Sequence, residues 1–135
     1  MDVRMNRIIL FGRDVTALKI FYQSHFNFAL IEETPQEWVV LKAGSVEIAF
    51  HKVGAVYDTT LNDPFKAESN IKLVFQLDGD LTAFRKSLIN KGVLLKTIKS
   101  FSGCNDLFCD GEDPEGNIFQ LVGKDGAKNA SFDSP

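Results

Sequence analysis

Two segments that lie 66 positions apart in this chain follow the same residue pattern. Residues 14–19 read Asp-Val-Thr-Ala-Leu-Lys, and residues 80–85 read Asp-Leu-Thr-Ala-Phe-Arg. An aspartate side chain caps a helix by accepting hydrogen bonds from its first free backbone N–H groups, so each segment predicts a helix that begins directly after the aspartate. A helix start repeated in this way indicates a duplicated fold, in which two similar units follow each other along the chain.

Apolar segments flank the two predicted helices in the same order. Strands are predicted from apolar runs that are bounded by turn residues. In the first half they cover residues 7–11, 29–33, 38–42 and 46–51, with the helix after the first of them. In the second half they cover residues 72–77, 93–98, 107–110 and 118–122, again with the helix after the first. Each half is therefore predicted to be a βαβββ module.

Two βαβββ modules predict an α+β fold. Their sheets are expected to join into one curved, partly open mixed β barrel with the helices outside, because each sheet has one face for its helix and one face left over. We predict one domain over residues 1–123, with module one at about 6–52, a linker at 53–70 and module two at about 71–123. Residues 124–135 are rich in Gly, Ser, Asn and Asp and are predicted to form a flexible tail.

Composition narrows the range of functions. The 135 residues carry a net charge of −3, which argues against nucleic acid as a partner because binding it requires a basic surface. No apolar run approaches the ~20 residues of a membrane span, and the N-terminus lacks the apolar stretch of a signal peptide. A cytoplasmic protein without a membrane partner is therefore expected, with Cys104 and Cys109 as free thiols.

Alternation along the strands predicts which side chains face away from the helices. The apolar positions of each strand pack against a helix, and the remaining positions line the opposite face. A strand shifted by one residue would bury polar groups against the helices at a large energetic cost. The predicted ligand-pocket residues are Arg7, Ile9, Phe11, Glu47, Ala49, His51, Lys72, Val74, Gln76 and Gln120, together with Trp38 and Phe101 as apolar walls.

The turn at residues 113–117, Asp-Pro-Glu-Gly-Asn, precedes an apolar strand at residues 118–122. Proline and glycine favour a tight turn, so the segment predicts a hairpin with residues 106–110. This hairpin and the repeated module order resemble the vicinal-oxygen-chelate superfamily, which includes glyoxalase I, bleomycin-resistance proteins, fosfomycin-modifying enzymes and extradiol dioxygenases. The resemblance covers nearly everything from residue 7 to residue 122. It implies a site in the concavity of the barrel, and it implies a homodimer.

In metal-dependent members of that superfamily, four side chains on this surface bind the metal. The resemblance places them at Arg7, Ala49, Lys72 and Gln120. Guanidinium and ammonium groups offer no lone pair to a metal, alanine has no donor atom, and a neutral amide is a weak ligand. The sequence therefore predicts the fold without its metal and without another cofactor.

Arg7 and Lys72 hold equivalent places in the two modules, and two interpretations of them stay open. In the first they form a cationic pair that binds a carboxylate, a phosphate or another small anion. In the second they pair with Glu47 or extend to solvent.

Three functions are compatible with these residues. The first is a metal-free protein, similar to the bleomycin-resistance branch, that holds a small molecule, with an anion as one option. The second is a lyase, isomerase or dioxygenase acting on a small oxygenated substrate, in which Arg7 and Lys72 stabilise an oxyanion. In that case Glu47 or His51 would act as the base. The third is a dimeric scaffold that binds no small molecule tightly.

Overall fold

The computed structural model describes residues 1–54 and 68–126, which belong to two compact units that divide near residue 65. Most of the predicted linker at 53–70 and of the predicted tail at 124–135 lies outside these described residues. Neither helix in the described ranges is long and apolar enough to cross a membrane.

The first unit contains β1 (Arg7–Gly12), α1 (Val15–Phe26), β2 (Ala29–Thr34), β3 (Trp38–Ala43) and β4 (Val46–Lys52). The second contains β5 (Leu73–Asp80), α2 (Leu81–Asn90), β6 (Leu94–Leu95), β7 (Lys99–Ser100), β8 (Leu107–Glu112) and β9 (Ile118–Lys124).

The first module is a four-stranded sheet in the order β1-β4-β3-β2, with α1 packed on β3 and β4. β1 runs parallel to β4, and the other neighbours are antiparallel. The predicted helix cap is present, because the side chain of Asp14 accepts a hydrogen bond from the backbone N–H of Ala17 at 3.0 Å. Asn27 ends the helix in the left-handed conformation. Tyr22 is fully buried and stacks on Phe50 of β4 with ring centroids 5.3 Å apart, which fixes the helix to its sheet.

The second module repeats this order. Its sheet runs β5-β9-β8-β6, with β7 also paired to β8, and β5 is parallel to β9 as β1 is to β4. The side chain of Asp80 caps α2 by accepting a hydrogen bond from the backbone N–H of Ala83 at 3.3 Å. Leu81 and Leu88 of α2 are buried. The predicted α+β class with two βαβββ modules is therefore confirmed, while the closure of the two sheets into one barrel stays a prediction.

The single strand predicted at residues 93–98 is wrong. Two short strands, β6 and β7, stand near this position and pair with β8 on either side of a break. Within the break, the carbonyl of Lys96 accepts hydrogen bonds from Arg85 Nε of α2 at 2.9 Å and from the Cys109 thiol at 3.2 Å. The backbone N–H of Lys96 still donates to the carbonyl of Asp110 in β8 at 2.8 Å, while side-chain donors satisfy its carbonyl in place of a ladder partner.

The predicted hairpin of β8 and β9 is present, and one side chain holds its turn. Asp113 Oδ1 accepts hydrogen bonds from the backbone N–H groups of Glu115 at 2.9 Å and Asn117 at 3.0 Å. Its Oδ2 accepts a third from Asn117 Nδ2 at 2.8 Å. Gly116 has a φ of 82°, which glycine adopts without steric strain. The turn thereby fixes the register in which β8 and β9 pair.

Candidate functional site

Each sheet has one face packed on its helix and, on the other side, a face that we call the open face. Paired residues of neighbouring strands share a face, so the strand register assigns three rows to the open face of the first sheet. The rows are Arg7, Glu47 and Lys42; Ile9, Ala49 and Val40; and Phe11, His51 and Trp38. All the pocket residues predicted in the first module therefore lie on one surface.

Two members of the charged row, Arg7 and Glu47, form an ion pair. Arg7 Nε lies 2.8 Å and Arg7 Nη2 lies 2.7 Å from Glu47 Oε1. The guanidinium carbon of Arg7 also lies 5.5 Å from the centroid of the Trp38 ring, which is within cation–π distance. Pairing with Glu47 is one of the two arrangements that the sequence leaves open for Arg7.

The third row, which we call the aromatic row, joins Phe11, His51 and Trp38 across three strands. The ring centroids of Phe11 and His51 are 5.5 Å apart, and those of His51 and Trp38 are 5.6 Å apart. Trp38 Nε1 donates a hydrogen bond to Glu32 Oε2 at 2.9 Å, which orients the indole ring. Phe11 is 61% exposed and Ile9 in the adjacent row is 47% exposed. Clustered apolar side chains in contact with water often mark a binding surface.

The open face of the second sheet is organised by Asp110, a residue outside the predicted pocket set. Asp110 Oδ2 lies 2.7 Å from Lys72 Nζ, and Asp110 Oδ1 accepts a hydrogen bond from Gln120 Nε2 at 3.1 Å. Asp110 and Gln120 are opposite each other in the β8–β9 pair, and Lys72 directly precedes β5. We call Lys72, Asp110 and Gln120 the Asp110 cluster.

The Asp110 cluster favours the ionised form of its carboxylate. Desolvation on partial burial acts to raise the pKa of Asp110, but the hydrogen bonds from Lys72 and Gln120, with the charges of Lys72 and Lys99, outweigh it. The pKa of Asp110 is therefore lowered from the ordinary aspartate value. Since the side chain of Asp110 is only 16% exposed, Lys72 neutralises a largely shielded negative charge.

The remaining predicted residues of the second module lie outside this cluster. Val74 is exposed on β5, and Gln76 Nε2 donates a hydrogen bond to the carbonyl of Val122 at 3.3 Å. Phe101 packs edge-on against Phe108, with ring centroids 5.3 Å apart. The predicted residues therefore fall into separate groups within each module, of which the aromatic row with Arg7 is the most connected.

The alternation of β8 contains the signal for Asp110. Cys109 and Gly111 are buried on either side of it, so Asp110 faces the open side next to Gln120. The strand predicted from the sequence ends at residue 110. It therefore omits Gly111, the buried residue that follows Asp110 and helps to assign the face of Asp110. The observed strand continues to Glu112, and its alternation places Asp110 on the open face.

A pocket of about 180 Å³ adjoins Asp110 on the second sheet. Apolar and charged side chains line it, among them Leu94, Lys96, Glu112 and Ile118. Ligand pockets usually span about 300–1,000 Å³. This pocket is therefore small for an independent binding site.

The four positions at which the sequence analysis expects the superfamily's metal ligands carry no carboxylate, thiolate or imidazole group. Arg7 is bonded to a glutamate, and Ala49 presents only a methyl group. Lys72 and Gln120 donate N–H groups to Asp110. Divalent metals need carboxylate, thiolate or neutral imidazole donors. Residues 1–54 and 68–126 contain no group of three or more His, Cys, Asp or Glu side chains placed to hold a metal ion.

The chain is similar to solved structures over most of its length. A lactoylglutathione lyase from Agrobacterium tumefaciens is 16% identical, with a TM-score of 0.69 over 90% of this chain and 94% of that one. A genomically encoded fosfomycin resistance protein from Listeria monocytogenes is 15% identical, with a TM-score of 0.72 over 91% of this chain and 94% of that one. A glyoxalase/bleomycin resistance protein/dioxygenase family enzyme from Burkholderia phytofirmans is 22% identical, with a TM-score of 0.70 over 87% of this chain and 96% of that one.

No family model matches the chain, and no curated protein matches it. The likeness therefore rests on structure, and the activities named for these three proteins belong to them. The matches extend over 87–91% of this chain, and therefore over most of both of its βαβββ modules. The chain has the fold of the vicinal-oxygen-chelate superfamily, to which glyoxalase, fosfomycin resistance and bleomycin resistance proteins belong.

Proposed function

We propose that this chain is a glyoxalase/bleomycin-resistance-like protein that binds a small molecule without a metal, on the open face of its first sheet. The observation that carries the proposal is the aromatic row, in which Phe11 is exposed beside His51 and Trp38. A flat apolar group placed on this row would remove ring surface from water, which favours binding. Stacked aromatic contacts add specificity to that gain.

Arg7 and Glu47 supply polar specificity next to the aromatic row. The guanidinium has five N–H donors, and Glu47 engages two of its nitrogens. The remaining donors are able to bind a carbonyl or another oxygen of the ligand. Because Glu47 already neutralises the guanidinium charge, we favour a flat neutral ligand with an acceptor oxygen over a strongly anionic one.

The donor chemistry of this face supports binding without a metal. Ala49 lies in the middle row and offers no donor atom, and Glu47 is bonded to Arg7. His51 lies between two aromatic rings. The proposal therefore assigns ligand binding, and no metal-assisted reaction, to this surface.

The chain contains a single tryptophan, so the fluorescence of Trp38 reports directly on the aromatic row. We expect titration with flat aromatic compounds, in matched neutral and carboxylated forms, to change this emission saturably. Phe11→Ala should weaken binding about tenfold, since an aromatic pair contributes about 0.5–1.5 kcal/mol beyond its buried area. Loss of an exposed ring should leave the free energy of unfolding nearly unchanged.

Phe101→Ala is the matched control, because Phe101 is 57% exposed but belongs to the second module. This substitution should leave the affinity at the wild-type value. Unchanged affinity in Phe11→Ala, or an equal loss in both variants, would rule out the first sheet as the site. Stoichiometric metal in the purified protein, measured by mass spectrometry, would overturn the metal-free part of the proposal.

A further inference from the structure

A β-bulge in β2 brings the carboxylate of Glu32 to the open face of the first sheet. Leu30 pairs with Leu41 and Glu32 pairs with Val40, so Ile31 is an extra residue between two paired positions. In a regular strand, residues two apart share a face, and Glu32 would lie with Leu30 on the helix side. The bulge instead places Glu32 beside Val40, in the middle row of the open face.

From this position Glu32 contacts the aromatic row. Its Oε2 accepts the hydrogen bond from Trp38 Nε1 at 2.9 Å, and the guanidinium carbon of Arg7 lies 5.5 Å from the centroid of the same indole ring. The only N–H group of the indole is thereby bonded to the protein and not offered to a ligand. The second carboxylate oxygen of Glu32 adds an acceptor at this end of the aromatic row, because a carboxylate accepts hydrogen bonds at both oxygens.

The charge of Glu32 is balanced differently from the charges of its neighbours. Glu47 is ion-paired with Arg7, and Glu33, the next residue of β2, is ion-paired with Lys19 of α1 at 2.7 Å. Within residues 1–54 and 68–126, the exposed carboxylate of Glu32 accepts only from the neutral indole N–H and has no ion-pair partner. In this part of the chain, the aromatic row therefore ends beside a negative charge that no contacting cation neutralises.

We propose that Glu32 determines the polar group of the ligand, by accepting a hydrogen bond from an N–H donor and repelling a carboxylate. The inference rests on the ligand-binding function proposed above and narrows the ligand to a flat aromatic molecule with an N–H group, such as a primary amide. Hydrogen bonds to an ionised acceptor are stronger than those between neutral groups, and like charges in contact exclude the wrong ligand. Because Arg7 and Glu32 contact the same indole ring, we expect one amide to engage both, through its carbonyl and its N–H.

Three flat probes of nearly equal size test this selection by isothermal titration calorimetry on the full chain. Naphthamide has a carbonyl and an N–H group, acetonaphthone keeps the carbonyl without the N–H, and naphthoate carries a negative charge, all at the same ring position. We expect the wild type to bind naphthamide about tenfold more tightly than either of the other two, since a hydrogen bond to a charged acceptor is lost with each. Added salt should reduce the discrimination against naphthoate, because it screens the repulsion.

Two substitutions separate the charge of Glu32 from its hydrogen bond to the indole. Glu32→Gln removes the charge and keeps an oxygen that can accept from Trp38 Nε1. It should bind naphthoate as tightly as naphthamide, and the emission maximum of the single tryptophan in the ligand-free protein should stay at the wild-type value. Glu32→Ala removes the acceptor as well, so this maximum should shift and the affinity for naphthamide should fall about tenfold.

Glu33→Gln is the matched control, because it makes the same exchange at the next residue of β2, whose carboxylate pairs with Lys19 on the helix side. It should keep the wild-type order of the three affinities. If Glu32→Gln also keeps that order, or if the wild type binds all three probes equally, the inference is wrong. The proposed function then stands as long as Phe11→Ala still weakens binding. A wild type that binds none of the probes saturably would overturn both.

Discussion

Glu47 and Asp110 perform the same task in the two modules. Each carboxylate neutralises the cation that its own module carries at the corresponding position, which is Arg7 in the first module and Lys72 in the second. Because both cations are balanced inside their modules, neither gives its open face a strong positive charge. The accessible feature of the first open face is instead apolar, with Phe11 61% exposed.

The pH dependence of stability should reveal the contribution of Asp110. Desolvation acts to raise the pKa of Asp110, but hydrogen bonds and charges from the Asp110 cluster lower it in the folded chain. A carboxyl whose folded pKa lies below its unfolded value adds stability above the unfolded pKa and loses it as the pH falls through the folded pKa. Urea unfolding should therefore show wild type more stable than Asp110→Asn at neutral pH, by a margin that shrinks below the ordinary aspartate pKa. A margin that stays constant from neutral pH down to about pH 3 would contradict the assignment.

The predicted residues of the first open face depend on strand alternation, which a single sequence contains. The observed register agrees with it by pairing Arg7 with Glu47 and Phe11 with His51. The partner of Lys72 depends on the order of strands in the sheet, because β9 lies between the two residues of the pair. Alternation within one strand carries no such information, so the Asp110 cluster required the structure.

Among the elements, those fixed by contacts between close neighbours in sequence agree best with prediction. Asp14 and Asp80 cap their helices through backbone N–H groups three residues away. β6 and β7 behave differently, because the Lys96 carbonyl between them is bonded by Arg85 and Cys109, which lie 11 and 13 residues away. Such contacts form only when α2 and β8 are in place, so the apolar pattern at this point predicts a strand that is too long.

The β8–β9 hairpin should depend strongly on Asp113. Asp113→Ala removes the acceptors of three hydrogen bonds and leaves backbone N–H groups of a tight turn without partners. Because Asp113 is only 4% exposed, we expect a loss of about 2–4 kcal/mol in the free energy of unfolding, measured by chemical denaturation. Asp106→Ala is the control near the start of β8, where an exposed ion pair with Lys124 is worth about 0–1 kcal/mol. Equal losses in the two variants would show that the turn network adds nothing.

For the whole chain, structural similarity establishes the fold and leaves the function to experiment. Solved structures at 15–22% identity include a lyase and a fosfomycin resistance protein, and one fold commonly serves several functions. The fold could be predicted from the sequence because the repeated order of strands and helices depends on a pattern of many residues and not on any single one. Ligand choice depends on a few side chains such as Phe11 and Arg7, for which one sequence provides no comparison. The enzymatic alternative with Glu47 or His51 as the base stays a prediction.

The predicted homodimer provides a test that separates ligand binding from the scaffold function. We expect the full chain to sediment with twice the mass of a single chain, and a monomeric mass at all concentrations would contradict this.

Phe11 can be covered by a ligand or by a second copy, and sedimentation equilibrium distinguishes the two. In a two-fold symmetric interface one substitution removes a contact from both subunits, so Phe11→Ala would then dissociate the dimer. We expect the dimer to persist in Phe11→Ala while the Trp38 titration loses affinity, because the aromatic row serves the ligand. A monomeric Phe11→Ala would assign this row to the dimer interface and favour the scaffold function.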